Sequence, residues 1–122
     1  MQRLLLALAV LLLAACVTVP PQQVKPKPPL AERQAELFAT AKASFQAQDY
    51  GNAAALLLPL AQQGHLEAQY TIGYMYHYGL GLPRNEREAL HWFSIAAARG
   101  HAKAQQALKM LEAESAGQEQ PQ

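Results

Sequence analysis

Residues 64–105 read GHLEAQYTIGYMYHYGLGLPRNEREALHWFSIAAARGHAKAQ, and the opening of this stretch is echoed at its end. Gly64, His65, Ala68 and Gln69 recur as Gly100, His101, Ala104 and Gln105, an offset of 36 residues. In the same register Ala53 matches Ala89, Ala61 matches Ala97, and Leu57 pairs with Phe93. A fixed period of this size is the mark of stacked helix pairs, each burying its apolar face on its neighbours. Twenty alanines lie between Leu30 and Gly117, and no run of alternating β-branched residues is present. The composition is all-α, and the repeat makes the fold a short α-solenoid of two helix pairs plus a C-terminal capping helix.

Helices are expected at 31–48, 50–63, 66–78, 86–99 and 101–114. Gly64 and Gly100 suit the left-handed residue that ends a helix, and Asn85 with Glu88 three residues on forms a capping-box-like start. Gly73 falls inside a helix at a cost of up to about 1 kcal/mol relative to Ala, so close approach of a neighbouring helix is the expected compensation. Ala89, Trp92, Phe93, Ala96 and Ala97 fall at helical spacing and make one apolar face of alternating bulky and small groups. Pro59 should kink the second helix, because it lacks an N–H and its ring clashes with the preceding turn.

Ala68, Ile72, Gly73, Tyr76, Gly79, Gly81, Leu82, Pro83, Ala89, Trp92, Phe93, Ala96, Ala97, Gly100, His101, Ala102, Ala104 and Gln105 together resemble a Sel1-like repeat, a relative of the tetratricopeptide repeats with a longer loop between its helices. Asn85 stands near the Asp typical of that loop and is itself a good helix cap. The preceding unit, Glu36 to Gly64, lacks the Gly-x-Gly insertion and looks like a plain tetratricopeptide unit, with Asp49 and Tyr50 at its turn and Ala53 eight residues after Phe45. The resemblance implies a protein-interaction module whose first helices line a concave surface. Some secreted Sel1-like proteins that have cysteine-stapled repeats are linked to antibiotic binding or hydrolysis, but no cysteine follows Cys16 here.

Upstream of the repeats, Pro20 to Pro29 hold five prolines in ten residues, which favours extended polyproline II chain. At about 3.1 Å per residue the stretch from Val17 to Leu30 would reach roughly 40 Å. Before it stand Met1-Gln2-Arg3 and the twelve apolar residues Leu4 to Ala15, fewer than the roughly 20 that a membrane-crossing helix needs. Residues 1–15 therefore read as an export signal. Leu13-Ala14-Ala15-Cys16 resembles the bacterial lipobox, in which the cysteine is lipidated and becomes the first residue of the mature protein. A thioether-linked cysteine is inert where a free exported thiol would oxidise. Several acyl chains anchor stably where one is marginal. Val17 replaces the Asp that signals inner-membrane retention in enterobacterial lipoproteins, so the resemblance implies a lipid anchor in the outer membrane, facing the periplasm. The expected organisation is signal peptide 1–15, lipidated Cys16 and Pro-rich linker 16–29, repeat domain 30–114, and a disordered polar tail 115–122.

The chain carries ten Lys plus Arg against nine Asp plus Glu. Without residues 1–15, which contain only Arg3, the balance is nine against nine. A neutral chain this short lacks the basic surface that nucleic acid requires. Its single cysteine excludes an intramolecular disulfide.

Tyr70, Tyr74, His77 and Tyr78 recur at i, i+4, i+7 and i+8 on the third helix, a polar-aromatic stripe, while Ile72, Gly73, Met75 and Tyr76 form the packed face. Aromatic side chains with a polar tip bind with little entropy loss, so the stripe is the candidate partner-binding site. The bland alternative is that two of the tyrosines merely cover the edge of the core. His65, His77, His91 and His101 include no His-x-x-x-His pair, and the recurrence of His65 at His101 belongs to the repeat, so no metal site or other cofactor is expected. Ser44, Ser94 and Ser115 sit in helices or the tail without a nucleophile elbow, and Glu86 and Glu88 suit a helix dipole, so no enzyme is expected.

The function expected is that of a lipid-anchored periplasmic adaptor whose groove takes an envelope protein or peptide. The alternatives are an assembly or pilot lipoprotein for an outer-membrane secretion or pilus machine and, less favoured, a cell-wall-directed enzyme or ligand binder. Two repeats plus a cap are fewer than the three that usually suffice, so self-association or stabilisation by the partner is also expected.

Overall fold

A computed structural model describes residues 25–118. The signal segment 1–15, Cys16, the linker as far as residue 24, and residues 119–122 lie outside the described part. Five helices follow one another: α1 (Leu30–Gln46), α2 (Tyr50–Gln62), α3 (Leu66–Tyr78), α4 (Glu86–Ala98) and α5 (Ala102–Gln118). Among the described residues there is no strand. Each helix packs against the one before it, the order of a short helical solenoid with α1–α2 and α3–α4 as pairs.

Local chemistry sets the boundaries. Residues 25–29 carry no regular secondary structure, and Pro29, at φ −51° and ψ 152°, leads straight into α1. Gln48 takes the left-handed conformation that ends the first helix, φ 62°, and Asp49 then caps α2 by accepting from the Asn52 N–H at 3.3 Å. Helix α2 runs unbroken through Pro59 to Gln62. Gly64 and Gly100 adopt φ 91° and 89°, the paired stops that separate the units. At the start of α4, Asn85 Oδ1 accepts from the Glu88 N–H at 3.2 Å, while the Asn85 N–H donates to the Tyr76 carbonyl at 3.0 Å. Only half of the expected capping box therefore forms.

The core is built where small and large side chains meet. Ala41, Ala53, Ala54, Leu57, Leu60, Ala61, Ala68, Ile72, Met75 and Trp92 form one buried cluster; Ala89, Phe93, Ala96 and Ala104 form a second. Burying each of Leu57, Leu60, Ile72 and Met75 contributes about 1.5–3 kcal/mol. Gly73 explains itself here: a Cβ at that position would lie 2.8 Å from Phe93 Cδ1 and 2.9 Å from Cε1. Its absence lets the Phe93 ring of α4 lie directly on the backbone of α3.

The last helix continues to Gln118, so Ser115, Ala116, Gly117 and Gln118, placed in the disordered tail by composition, are helical and exposed. Good helix formers over Glu112–Ala116 outweigh the roughly 1 kcal/mol cost of Gly117. By the 36-residue offset, α5 repeats α3, with Leu108 at the place of Ile72 and Leu111 at that of Met75. Lys109 and Glu112 stand where Gly73 and Tyr76 receive α4. That face of α5 is suited to water, as a capping helix requires.

Candidate protein-binding groove

The repeated Gly-His-x-x-Ala-Gln segment is a capping device. His65 Nδ1 accepts from the Ala68 N–H at 3.2 Å and His101 Nδ1 from the Ala104 N–H at 3.2 Å, so each ring opens a first helix of a unit. Gln69 donates to the Ala61 carbonyl and Gln105 to the Ala97 carbonyl, both at 3.1 Å, tying each new helix to the end of the one before. Arg99 links the units by donating to the Gly64 carbonyl at 2.6 Å and to Gln69 Oε1 at 2.9 Å. His101 Nδ1 is an acceptor, so the proton sits on Nε2 and is donated to Glu67 Oε1 at 3.1 Å. Both histidines are thus committed to architecture.

Side chains of α1, α3 and α5 line one open surface, with those of α3 in the middle. One hollow, about 550 Å³, is lined by Phe38, Lys42 and Phe45 from α1, Glu67, Tyr70, Thr71 and Tyr74 from α3, and Lys103 from α5. A second, about 460 Å³, continues over Tyr70, Tyr74, His77 and Tyr78 to Met110 and Leu111 of α5. Tyr70, Tyr74 and Lys103 border both, so the two form one groove with a tyrosine ridge across it.

The four stripe residues share this surface but differ in freedom. Tyr70 stacks on His101 (ring centroids 4.6 Å apart, 17° between planes) and packs on Phe93. Burial, followed by the neighbouring Tyr74, Tyr78 and Glu67, raises its hydroxyl above the ordinary tyrosine pKa. Tyr70 is therefore as much a wall of the core as a contact. Tyr74 is half-buried between Phe45 and Tyr78. Tyr78 is 58% exposed, as is Met110 opposite it, and the two make an apolar patch at the open end. His77 is already engaged: its Nδ1 pairs with Glu86 Oε2 at 3.0 Å across the long loop. Arg84 donates to the other Glu86 oxygen from Nη2 at 2.8 Å and Nε at 3.2 Å.

The Arg84 guanidinium foremost holds the Glu86 carboxyl below the ordinary carboxylate pKa; burial, the next largest effect, opposes it, and His77 adds to the lowering. A depressed folded pKa contributes stability above the unfolded value and loses it as pH falls through the folded one. Glu86→Gln should flatten the acid side of the stability profile below about pH 4.3, the ordinary Glu value, relative to the wild type. Urea midpoints measured from pH 6 to 3 check this; parallel profiles would remove Glu86 from the acid response.

Phe38, Lys42, Phe45 and Lys103 line the groove but carry no local motif, and only the stacking of three helices brings them to Tyr70 and Tyr74. Among the described residues, no group of three or more His, Cys, Asp or Glu could hold a metal ion, and no helix is long and apolar enough to cross a membrane.

Residues 66–101, from the start of α3 through α4 to the next helix cap, match the family model of the Sel1 repeat. The chain is also similar to the ERAD-associated E3 ubiquitin-protein ligase component HRD3A of Arabidopsis thaliana, at 41% identity over 58 residues. That stretch is 47% of this chain and 9% of the relative, so the chain spans under a tenth of the length of the relative it matches. No solved structure matches the chain significantly. Sel1 repeats generally mediate protein–protein interaction.

Proposed function

We propose that the protein is a lipid-anchored envelope adaptor that captures another protein in the groove between α1, α3 and α5. The observation carrying this reading is the continuous aromatic and apolar surface on one side of the helix stack, formed by Phe38, Phe45, Tyr70, Tyr74, Tyr78 and Met110. An apolar surface rimmed by polar groups is what a binding face requires, and Tyr is enriched at binding hot spots. The Sel1 match over α3 and α4 supports the same reading, as does a relative whose name makes it a component of a larger ligase.

The test separates binding from folding. Tyr74→Ala with Tyr78→Ala should abolish recovery of the partner in crosslinked envelope preparations and lower stability by about 1–3 kcal/mol, nearly all of it from half-buried Tyr74, because Tyr78 is largely exposed. Retained capture together with a large loss of melting temperature would make both tyrosines parts of the core.

Attachment is proposed through Cys16. The apolar segment before it is too short to span a bilayer, and the Pro-rich stretch after it is long enough to hold the helices away from a membrane. In bacterial cells, radiolabelled palmitate should enter the protein and Cys16→Ser should eliminate the label and release the chain from the outer-membrane fraction. Equal labelling of the Ser variant would refute the anchor. We place the groove on the periplasmic side of that membrane.

A further inference from the structure

Lys42 of α1 and Lys103 of α5 border the same hollow from the two flanks of α3, above an apolar lining of Phe38, Phe45 and Tyr74. Among the described residues neither lysine lies within ion-pair distance of a carboxylate; the carboxylate contacts present are Arg84 with Glu86, and the imidazoles of His77 and His101 with Glu86 and Glu67. Glu67, the one carboxylate bordering this hollow, already accepts the His101 N–H. Two ammonium groups therefore stand against one carboxylate at this hollow, a local excess of one positive charge in a chain otherwise nearly balanced. A basic segment laid here would meet like charge, and a wholly apolar one would cover ammonium groups without replacing their water. At the far end of the groove Tyr78 and Met110 are exposed beside Leu111, and the border there carries Glu114, which disfavours a second acid and leaves the apolar side chains as the contact.

Resting on the reading of the groove as the binding face, we propose that its occupant is an acidic-apolar peptide segment of the partner. A carboxylate of that segment is held between Lys42 and Lys103, and a nearby apolar side chain rests on the Tyr78–Met110 patch. Charge-assisted contacts to the two ammonium groups give selectivity, and the aromatic surface gives most of the affinity.

The probe is a library of random twelve-residue peptides displayed on phage, selected on the full chain in detergent, with enriched peptides then titrated by fluorescence anisotropy. The selected peptides should share an Asp or Glu beside a bulky apolar residue. Replacing that acid by Asn or Gln should weaken binding about tenfold, and K42E or K103E should each weaken it by about five- to tenfold, with binding falling as salt rises from 0.05 to 0.5 M. K42Q and K103Q, with circular dichroism and melting unchanged, guard against a folding defect. Peptides that depend on Tyr74 and Tyr78 but carry no acid, or ignore the lysine substitutions, would overturn the acidic partner and leave the groove as the binding face. Failure to enrich any peptide sensitive to Tyr74→Ala would overturn both.

Discussion

Replacing Phe93 by Ala should lower the stability of the protein by about 3–5 kcal/mol, the range for removing a buried aromatic from a packed core. Phe93 is among the largest fully enclosed side chains and joins Ala89, Ala96 and Ala104 in the second core cluster, with Tyr70 against its ring. Its seat is the bare backbone of Gly73. Gly73→Ala should therefore be destabilising although Ala is the better helix former: a gain of about 1 kcal/mol in propensity is set against about 1–3 kcal/mol of overpacking on a ring that packing holds in place. The two changes should couple. With Phe93 already Ala, the methyl at position 73 has room, and its helix propensity should emerge as a gain. Urea unfolding of the four members of the cycle measures this; strictly additive effects would mean that α3 and α4 do not meet at this pair.

Gly81→Ala should cost about 2–5 kcal/mol, the second-largest effect expected. Gly81 holds φ 67°, which costs an L-residue about 1–2 kcal/mol. Its missing side chain also leaves room for backbone: a Cβ would collide with the carbonyl of Tyr50 and lie 2.9 Å from the amide nitrogen of Gly51, at the start of α2. Main chain cannot step aside as a flexible side chain can, so overpacking adds about 1–3 kcal/mol or the loop lifts off α2. Gly79 is the internal control. It has the same φ of 67°, but its added Cβ would meet only Arg84, whose Cβ is 3.3 Å away, so Gly79→Ala should cost about the conformational 1–2 kcal/mol alone. Equal losses at the two positions would mean that the loop does not dock on α2.

Much of this architecture was legible in the sequence because punctuation residues act locally. Gly64 and Gly100 mark the ends of α2 and α4, and Asn85 the start of α4, to within one residue, and Gly73 announced a close helix contact whose partner proved to be Phe93. Where punctuation is weak, the boundaries moved: α5 runs to Gln118 because nothing after Glu114 is strong enough to stop it. The recurrence of His65 at His101 was visible, but its purpose, a ring nitrogen accepting a free amide in the first turn of the next helix, needs three-dimensional geometry.

The groove was half legible. Helical spacing placed Tyr70, Tyr74, His77 and Tyr78 on one stripe, and they do share a surface. Spacing along one helix could not show that Glu86, nine residues away across a loop, would engage His77, or that His101 would stack on Tyr70. Nor could it find Phe38, Phe45, Lys42 and Lys103, which come from other helices and gain meaning only when the repeats stack.

Site-specific photo-crosslinking in intact cells bears most directly on the groove as the binding face. A photoreactive residue at Thr71, which lines the groove, and one at Ser94, exposed on α4 and outside both hollows, provide the comparison. If the groove is the binding face, Thr71 should yield a discrete crosslinked protein that Tyr74→Ala with Tyr78→Ala eliminates, and Ser94 should yield none. A discrete product from Ser94 alone, or one from Thr71 that survives loss of both tyrosines, would contradict it.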